Sequence, residues 1–195
     1  MSDSYYHVYN RGVAKQKIFH DDYDYAVFLN LLKRYLDVES HEDPSGRQYE
    51  HLRKSLELQA FCLMPNHFHL LVYLHDIDGL TKLMRGVCTA YTGYYNKKYK
   101  RVGTLFQGIF KASRITSDDY LVHISRYIHL NPKNYKEWEH SSLSAYLGKQ
   151  NIPWLQQGKI MDLFEGGVKE YIDFLEDYED QKAILDEIKY ELADR

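Results

Sequence analysis

Residues 64–74 read MPNHFHLLVYL, and the alternation inside this stretch decides the fold. Successive side chains of a β-strand point to opposite faces, so residues two apart share a face. Phe68, Leu70, Val72 and Leu74 then make one wholly apolar face, while His67 and His69 stand together on the other. An apolar face of this kind belongs beneath helices. A second strand, Leu56 to Met64, precedes it, and the two are joined by a turn at Pro65-Asn66.

Working outward, YYHVYNR at 5–11 alternates and is rich in β-formers, and Gly12 ends it. Asp21 and Asp22 open a helix in which Tyr25, Phe28, Leu29, Leu32 and Leu36 recur at helical spacing. Residues 39–54, polar and containing Pro44 and Gly46, form a loop or flap. Downstream come a long helix over 78–99 and a strand over Thr104 to Thr116, with Gly108 as a bulge. Ser117 caps a helix running to about Asn131, and Pro132 discourages its continuation. The order β-α-β-β-α-β predicts an α+β, ferredoxin-like antiparallel sheet, with helices on one face and the other face open. A catalytic domain over 1–135 and an extension over 136–195, made of a loop and short helices packed on it, complete the expected organisation.

With 195 residues, 44% hydrophobic and 27% charged, the chain has the composition of a globular protein. No apolar run approaches the roughly 18 residues that span a bilayer, and MSDSYYHVYNRG carries no signal-peptide core. A cytoplasmic protein with no membrane partner is expected. Cys62 and Cys88 lie in apolar patterns without metal-type spacing and read as reduced core residues.

The net charge of −3 conceals an asymmetry. From Gly79 to Arg114 there are eight basic residues (Lys82, Arg85, Lys97, Lys98, Lys100, Arg101, Lys111, Arg114) and no acid. From Met161 onward twelve acids face four basic residues, which is −8, leaving +5 for residues 1–160. A basic body with an acidic appendage suits a nucleic-acid partner better than the global pI of about 6.4 suggests. Tyr91, Tyr94, Tyr95 and Phe106, interleaved with these cations, could stack on bases.

The histidine pair is spaced about 6–7 Å along the strand, close enough for two neutral imidazoles to share a divalent ion with a third ligand. Two half-exposed histidines with no ligand fit the same spacing. In the helix SDDYLVHISRYIHLNP at 117–132, Leu121, Ile124 and Ile128 form the packing stripe. Tyr127 and Asn131, four apart, lie on one face. Asn131 offers a carbonyl oxygen for a hard ion such as Mg²⁺ or Mn²⁺. Arg126 adjoins Tyr127, and His123 lies one turn earlier.

MPNHFHLLV followed by RYIHLNP resembles the REP-associated tyrosine transposases of the HUH single-strand endonuclease superfamily. HVYNRG at 7–12, GTLFQGIFKASR at 103–114 and SSLSAYLG at 141–148 are similar pieces in the same order. Two positions depart from the pattern. Ile109 stands where a basic residue is expected, and EHSS lacks a tryptophan before its serines. The resemblance implies that His67, His69 and Asn131 hold Mg²⁺ or Mn²⁺ and that Tyr127 is the nucleophile. It also implies a single-stranded or hairpin DNA substrate, cut and rejoined through a 5′-phosphotyrosine. Arg11, Gln107 and Arg126 join the eight basic residues as candidate DNA contacts. Monomer and homodimer remain equally open. Three rival readings are a non-catalytic single-strand nucleic-acid-binding domain, a metal-dependent phosphodiesterase that uses water, and a scaffold with incidental histidines.

Overall fold

The computed structural model describes residues 3–39, 46 and 51–177. Most of the flap expected at 39–54, and the acidic run from Glu179 onward, lie outside the described residues.

Four strands form one antiparallel sheet in the order β2-β3-β1-β4, where β1 is Ser4–Arg11, β2 Leu56–Met64, β3 His67–Leu74 and β4 Lys111–Ile115. Helix α1, Asp22–Leu36, links β1 to β2, and α2, Ile77–Lys98, links β3 to β4. This is the expected ferredoxin-like arrangement. Each helix start is set locally. The Asp21 carboxylate accepts from the Asp24 N–H at 3.0 Å, and Asp76 accepts from the Asp78 N–H at 3.2 Å. Gly12 ends β1 where a side chain would strike the Gln16 carbonyl. Its N–H donates to Asn66 O at 2.8 Å, tying the strand end to the β2–β3 turn.

The alternation in β3 holds. Phe68, Leu70, Val72 and Leu74 are fully buried under α1 and α2, where Phe68 meets Phe28 and Phe106 at ring distances of 5.1 and 5.9 Å. Tyr91 of α2 closes the same layer against Phe28 at 5.1 Å.

The opposite face is not open. Helix α3, Asp118–His129, lies across it and brings the Tyr127 ring to 5.2 Å from His69 and 5.9 Å from His7. Burial along α3 runs from Ile124 through His129 without a break, because the helix is covered on both sides. Behind it sits α6, Gly167–Glu176, which follows the short helices α4, Leu143–Tyr146, and α5, Gly158–Met161. The His129 Nδ1–Tyr171 hydroxyl contact is 2.7 Å, and the Tyr171 hydroxyl donates to Ser125 Oγ at 3.2 Å. His129 Nε2 meets Ser142 Oγ at 2.8 Å, and Ser142 Oγ accepts from the Phe61 N–H at 2.9 Å. One buried polar chain thus joins α6, α3 and the outer strand β2.

The last strand is shorter than expected. Pairing of β4 begins only at Lys111. Residues 104–110 run as an irregular loop, held to the strand end by a bridge between Gly12 and Phe106. Gly108 has φ +75°, which no paired strand residue adopts. Among the described residues no helix is long and apolar enough to cross a membrane.

Candidate active site

Strand register builds the site. On the covered face His67 lies opposite Arg11, and His69 opposite Tyr9, with Met64 and Cys62 on their other side. His7 is the diagonal neighbour of His69, a distance at which long side chains meet. The His67 and His69 rings are 4.9 Å apart and inclined at 80°.

His67 is held at both nitrogens. Its Nδ1 meets Asn66 Oδ1 at 2.7 Å and its Nε2 meets Asn131 Oδ1 at 3.0 Å. A neutral imidazole has one N–H and donates once. With that proton on Nδ1 toward Asn66, the Nε2 lone pair faces the Asn131 oxygen, leaving two acceptors toward one point. His69 Nδ1 meets His7 Nε2 at 2.9 Å, while His69 Nε2 is buried with no hydrogen-bond partner among the described residues. His67, His69 and Asn131 therefore present two ring nitrogens and one amide oxygen, a donor set suited to a divalent ion. No group of three His, Cys, Asp or Glu is placed to hold a metal among the described residues.

Burial governs the titration of these groups. It pulls His69 well below the usual histidine range, with the nearby His7 and His67 adding to the effect. It pulls His67 down as well, the Asn131 contact acting the other way and Arg11 adding to the fall. His7 falls to about 3 from burial alone. Neutral imidazoles are the form that ligates a metal. Tyr127, only 8% exposed, is pushed up to about 12 by burial, against a hydrogen bond with Asn131 that favours the phenolate.

The candidate DNA contacts divide. Arg11 Nε donates to Gln107 Oε1 at 2.6 Å beside His67, and Lys111 lies opposite Tyr9 on the histidine face. The six cations of α2 and the turn after it do not share that side, since α2 packs beneath the sheet. Of these, Lys82, Arg85 and Lys97 sit on exposed helix positions and Lys100 in the following turn. Lys98 is engaged by Asp21 and Asp24 at 2.8 and 2.7 Å, and Arg101 lies 5.5 Å over the Tyr95 ring. Arg114 takes the Tyr6 side of β4, its Nε donating to Ser4 Oγ at 3.2 Å. Arg126 is corrected outright as a DNA contact. It is fully buried behind α3, stacked 3.5 Å over Phe174 and donating to the Asp177 carbonyl at 3.3 Å. His123 turns the same way, 5.6 Å from Phe174. A run of like charge in sequence carries no information about which layer each residue joins.

His7 and Asn66 were missed as site residues. His7 shares the 5-7-9-11 face of β1 in the sequence, but only register carries it to His69. Asn66 falls in the turn that joins β2 to β3, and nothing in its spacing marks it as a partner of His67.

The fold, a four-stranded antiparallel sheet with helices on both faces, is similar to that of solved structures. The structure of a REP-associated tyrosine transposase bound to a REP hairpin superposes with a TM-score of 0.55 at 16% identity, covering 85% of this chain and 91% of that one. A crystal structure of a Deinococcus radiodurans R1 protein classed as a transposase gives 0.42 at 16% identity, over 66% and 90%. No curated protein matches the chain. Residues 48–131 match the family described as transposase IS200 like. That span holds His67, His69, Tyr127 and Asn131.

Proposed function

We propose that the protein is a tyrosine transposase of the REP-associated type, cutting and rejoining single-stranded DNA near a hairpin. One observation carries the reading: the Tyr127 ring stands 5.2 Å from His69 while Asn131, one helical turn on, reaches His67 at 3.0 Å. Nucleophile and candidate ligands thus share one small volume. In this reading residues 1–135 form the catalytic domain and 136–195 an extension packed on it, which the Ser142 and Tyr171 contacts with α3 and β2 support.

The Tyr127 oxygen attacks the scissile phosphorus in line. The phosphorus–tyrosyl oxygen bond forms as the bond to the 3′-oxygen breaks. The phenol loses its proton and the departing 3′-oxygen gains one. The 5′ end is kept as a phosphotyrosine, so a later 3′-hydroxyl reverses the exchange without ATP. His67 Nε2, His69 Nε2 and Asn131 Oδ1 would hold Mg²⁺ or Mn²⁺, which when bound polarises the phosphate and offsets its developing charge. The Asn131 hydrogen bond opposes the burial that disfavours the phenolate. Arg11 and Lys111 flank the same face and supply phosphate contacts.

Incubation with labelled hairpin single-stranded DNA and Mn²⁺ should give a denaturant-resistant protein–DNA band. Tyr127→Phe should abolish it while DNA binding stays within about threefold, since only a hydroxyl is lost. Nicking that persists in Tyr127→Phe would point to water as nucleophile; binding without any metal-dependent product would point to a non-catalytic domain.

A further inference from the structure

We infer that His7 is a positioning residue for the site, fixing His69 in the tautomer whose proton is on Nδ1. The inference rests on the metal-site reading above. His7 Nε2 and His69 Nδ1 are 2.9 Å apart, in rings 5.0 Å apart and inclined at 29°. The two side chains are 1% and 4% exposed, so neither contact nitrogen can exchange its partner for bulk water. One proton lies between them, and it has two possible owners. If His7 donates, His69 carries its proton on Nε2, and the site would contain a buried N–H with no acceptor. That N–H would also repel a cation. If His69 donates from Nδ1, its Nε2 is a bare lone pair, on a ring 5.2 Å from that of Tyr127 and 4.9 Å from that of His67.

Both arrangements leave Nε2 unpartnered in the protein alone. An unmade hydrogen bond at a buried polar atom is costly, and only the second arrangement has a ligand that relieves it. A metal-ligating histidine commonly donates its other N–H to a fixed acceptor, which sets its ring orientation. His7 offers that acceptor from β1, on the strand adjacent to the ligand rather than on the ligand's own strand. Tyr9, whose ring lies 5.3 Å from His7 and 6.0 Å from His69, packs along the same pair.

The tautomer is read directly by long-range proton–nitrogen correlation on metal-free protein labelled with ¹⁵N-histidine, the signals assigned with His7→Gln and His67→Gln. His69 should be protonated on Nδ1 and bare on Nε2, with His7 the reverse at its contact nitrogen. A His69 protonated on Nε2 would overturn the inference. Mn²⁺ titration gives a second readout, independent of cleavage. His7→Phe keeps a flat ring and removes the acceptor, so Mn²⁺ affinity should fall about 10- to 100-fold. His7→Gln, which retains an acceptor oxygen, should recover most of it, and metal-free DNA affinity should be unchanged in both. Undiminished Mn²⁺ affinity in a folded His7→Phe would also overturn it. Wild-type protein whose His67 and His69 signals ignore Mn²⁺ would sink the metal-site reading, and with it the role given to His7, while the tautomer result still stood.

Discussion

The two faces of the sheet are both buried, yet they are built from different materials. Beneath α1 and α2 the contact is apolar throughout: Phe68, Leu70, Val72 and Leu74 against Phe28 and Tyr91. Beneath α3 the contact holds His7, His69 and Tyr127, with His67 and Asn131 half-buried at its margin. The first face supplies stability through area removed from water. The second must pair each polar group or leave it costly, and it leaves His69 Nε2 without a partner. Gln59 Oε1 and Arg126 Nε are also buried without a hydrogen-bond partner, but His69 Nε2 is the one set beside a second histidine and a tyrosine ring, where chemistry is the usual reason for such a cost.

The sharpest way to break this comparison is to cut into each face in turn. Phe68→Ala should cost about 3–5 kcal/mol in urea unfolding, the transfer loss plus a cavity. His67→Ala, half-buried on the other face, should change stability by less than about 1 kcal/mol while eliminating the covalent DNA band. Comparable losses of stability from both would erase the distinction.

Next in size is Lys98. Its ammonium meets the fully buried Asp24 carboxylate at 2.7 Å. Asp24 also accepts from the hydroxyls of Tyr94 and Tyr99 at 2.7 Å each. Lys98→Ala strands a buried charge and should cost about 2–3 kcal/mol, with DNA affinity changing less than about twofold. A large loss of affinity at unchanged stability would return Lys98 to the binding surface.

The α3–α6 junction gives a smaller, pH-dependent effect. Burial lowers His129 to about 3 from an ordinary 6.5. Below about pH 6.5 the unfolded chain takes up a proton that the folded chain refuses. Stability is therefore fully present above 6.5 and falls as the pH drops toward 3, by up to about 1.4 kcal/mol per unit. Urea midpoints at pH 7 and pH 5 measure it, and His129→Gln should start less stable but lose less between the two. The smallest structural effect is expected of Lys111→Ala. Stability should move by less than about 0.5 kcal/mol, while the salt dependence of DNA binding loses about one phosphate's worth of slope.

Much of the first face was legible in the sequence. Period-two alternation in 67–74 and helical spacing in 22–36 each identify an element and the side it buries. The histidine pair was legible for the same reason, since the apolar opposite side aims it. The cover over that pair was not. Leu121, Ile124 and Ile128 show that α3 packs, but not that it packs on two sides, and so Arg126 looked available when Phe174 in fact covers it. His7 is the plainest case: its alternation was readable, but its meeting with His69 depends on β1–β3 register across 62 positions. Strand β4 was overdrawn because Thr104 to Phe110 has β-forming residues, whereas Gly108 and the Arg11–Gln107 contact hold it as a loop.

Tyr127 faces its histidines across a contact made within one chain, and α6 closes the back of the helix that presents it. On the proposed reading the helix that presents the nucleophile is anchored from behind, so damage to α6 would reach the site without touching a single site residue.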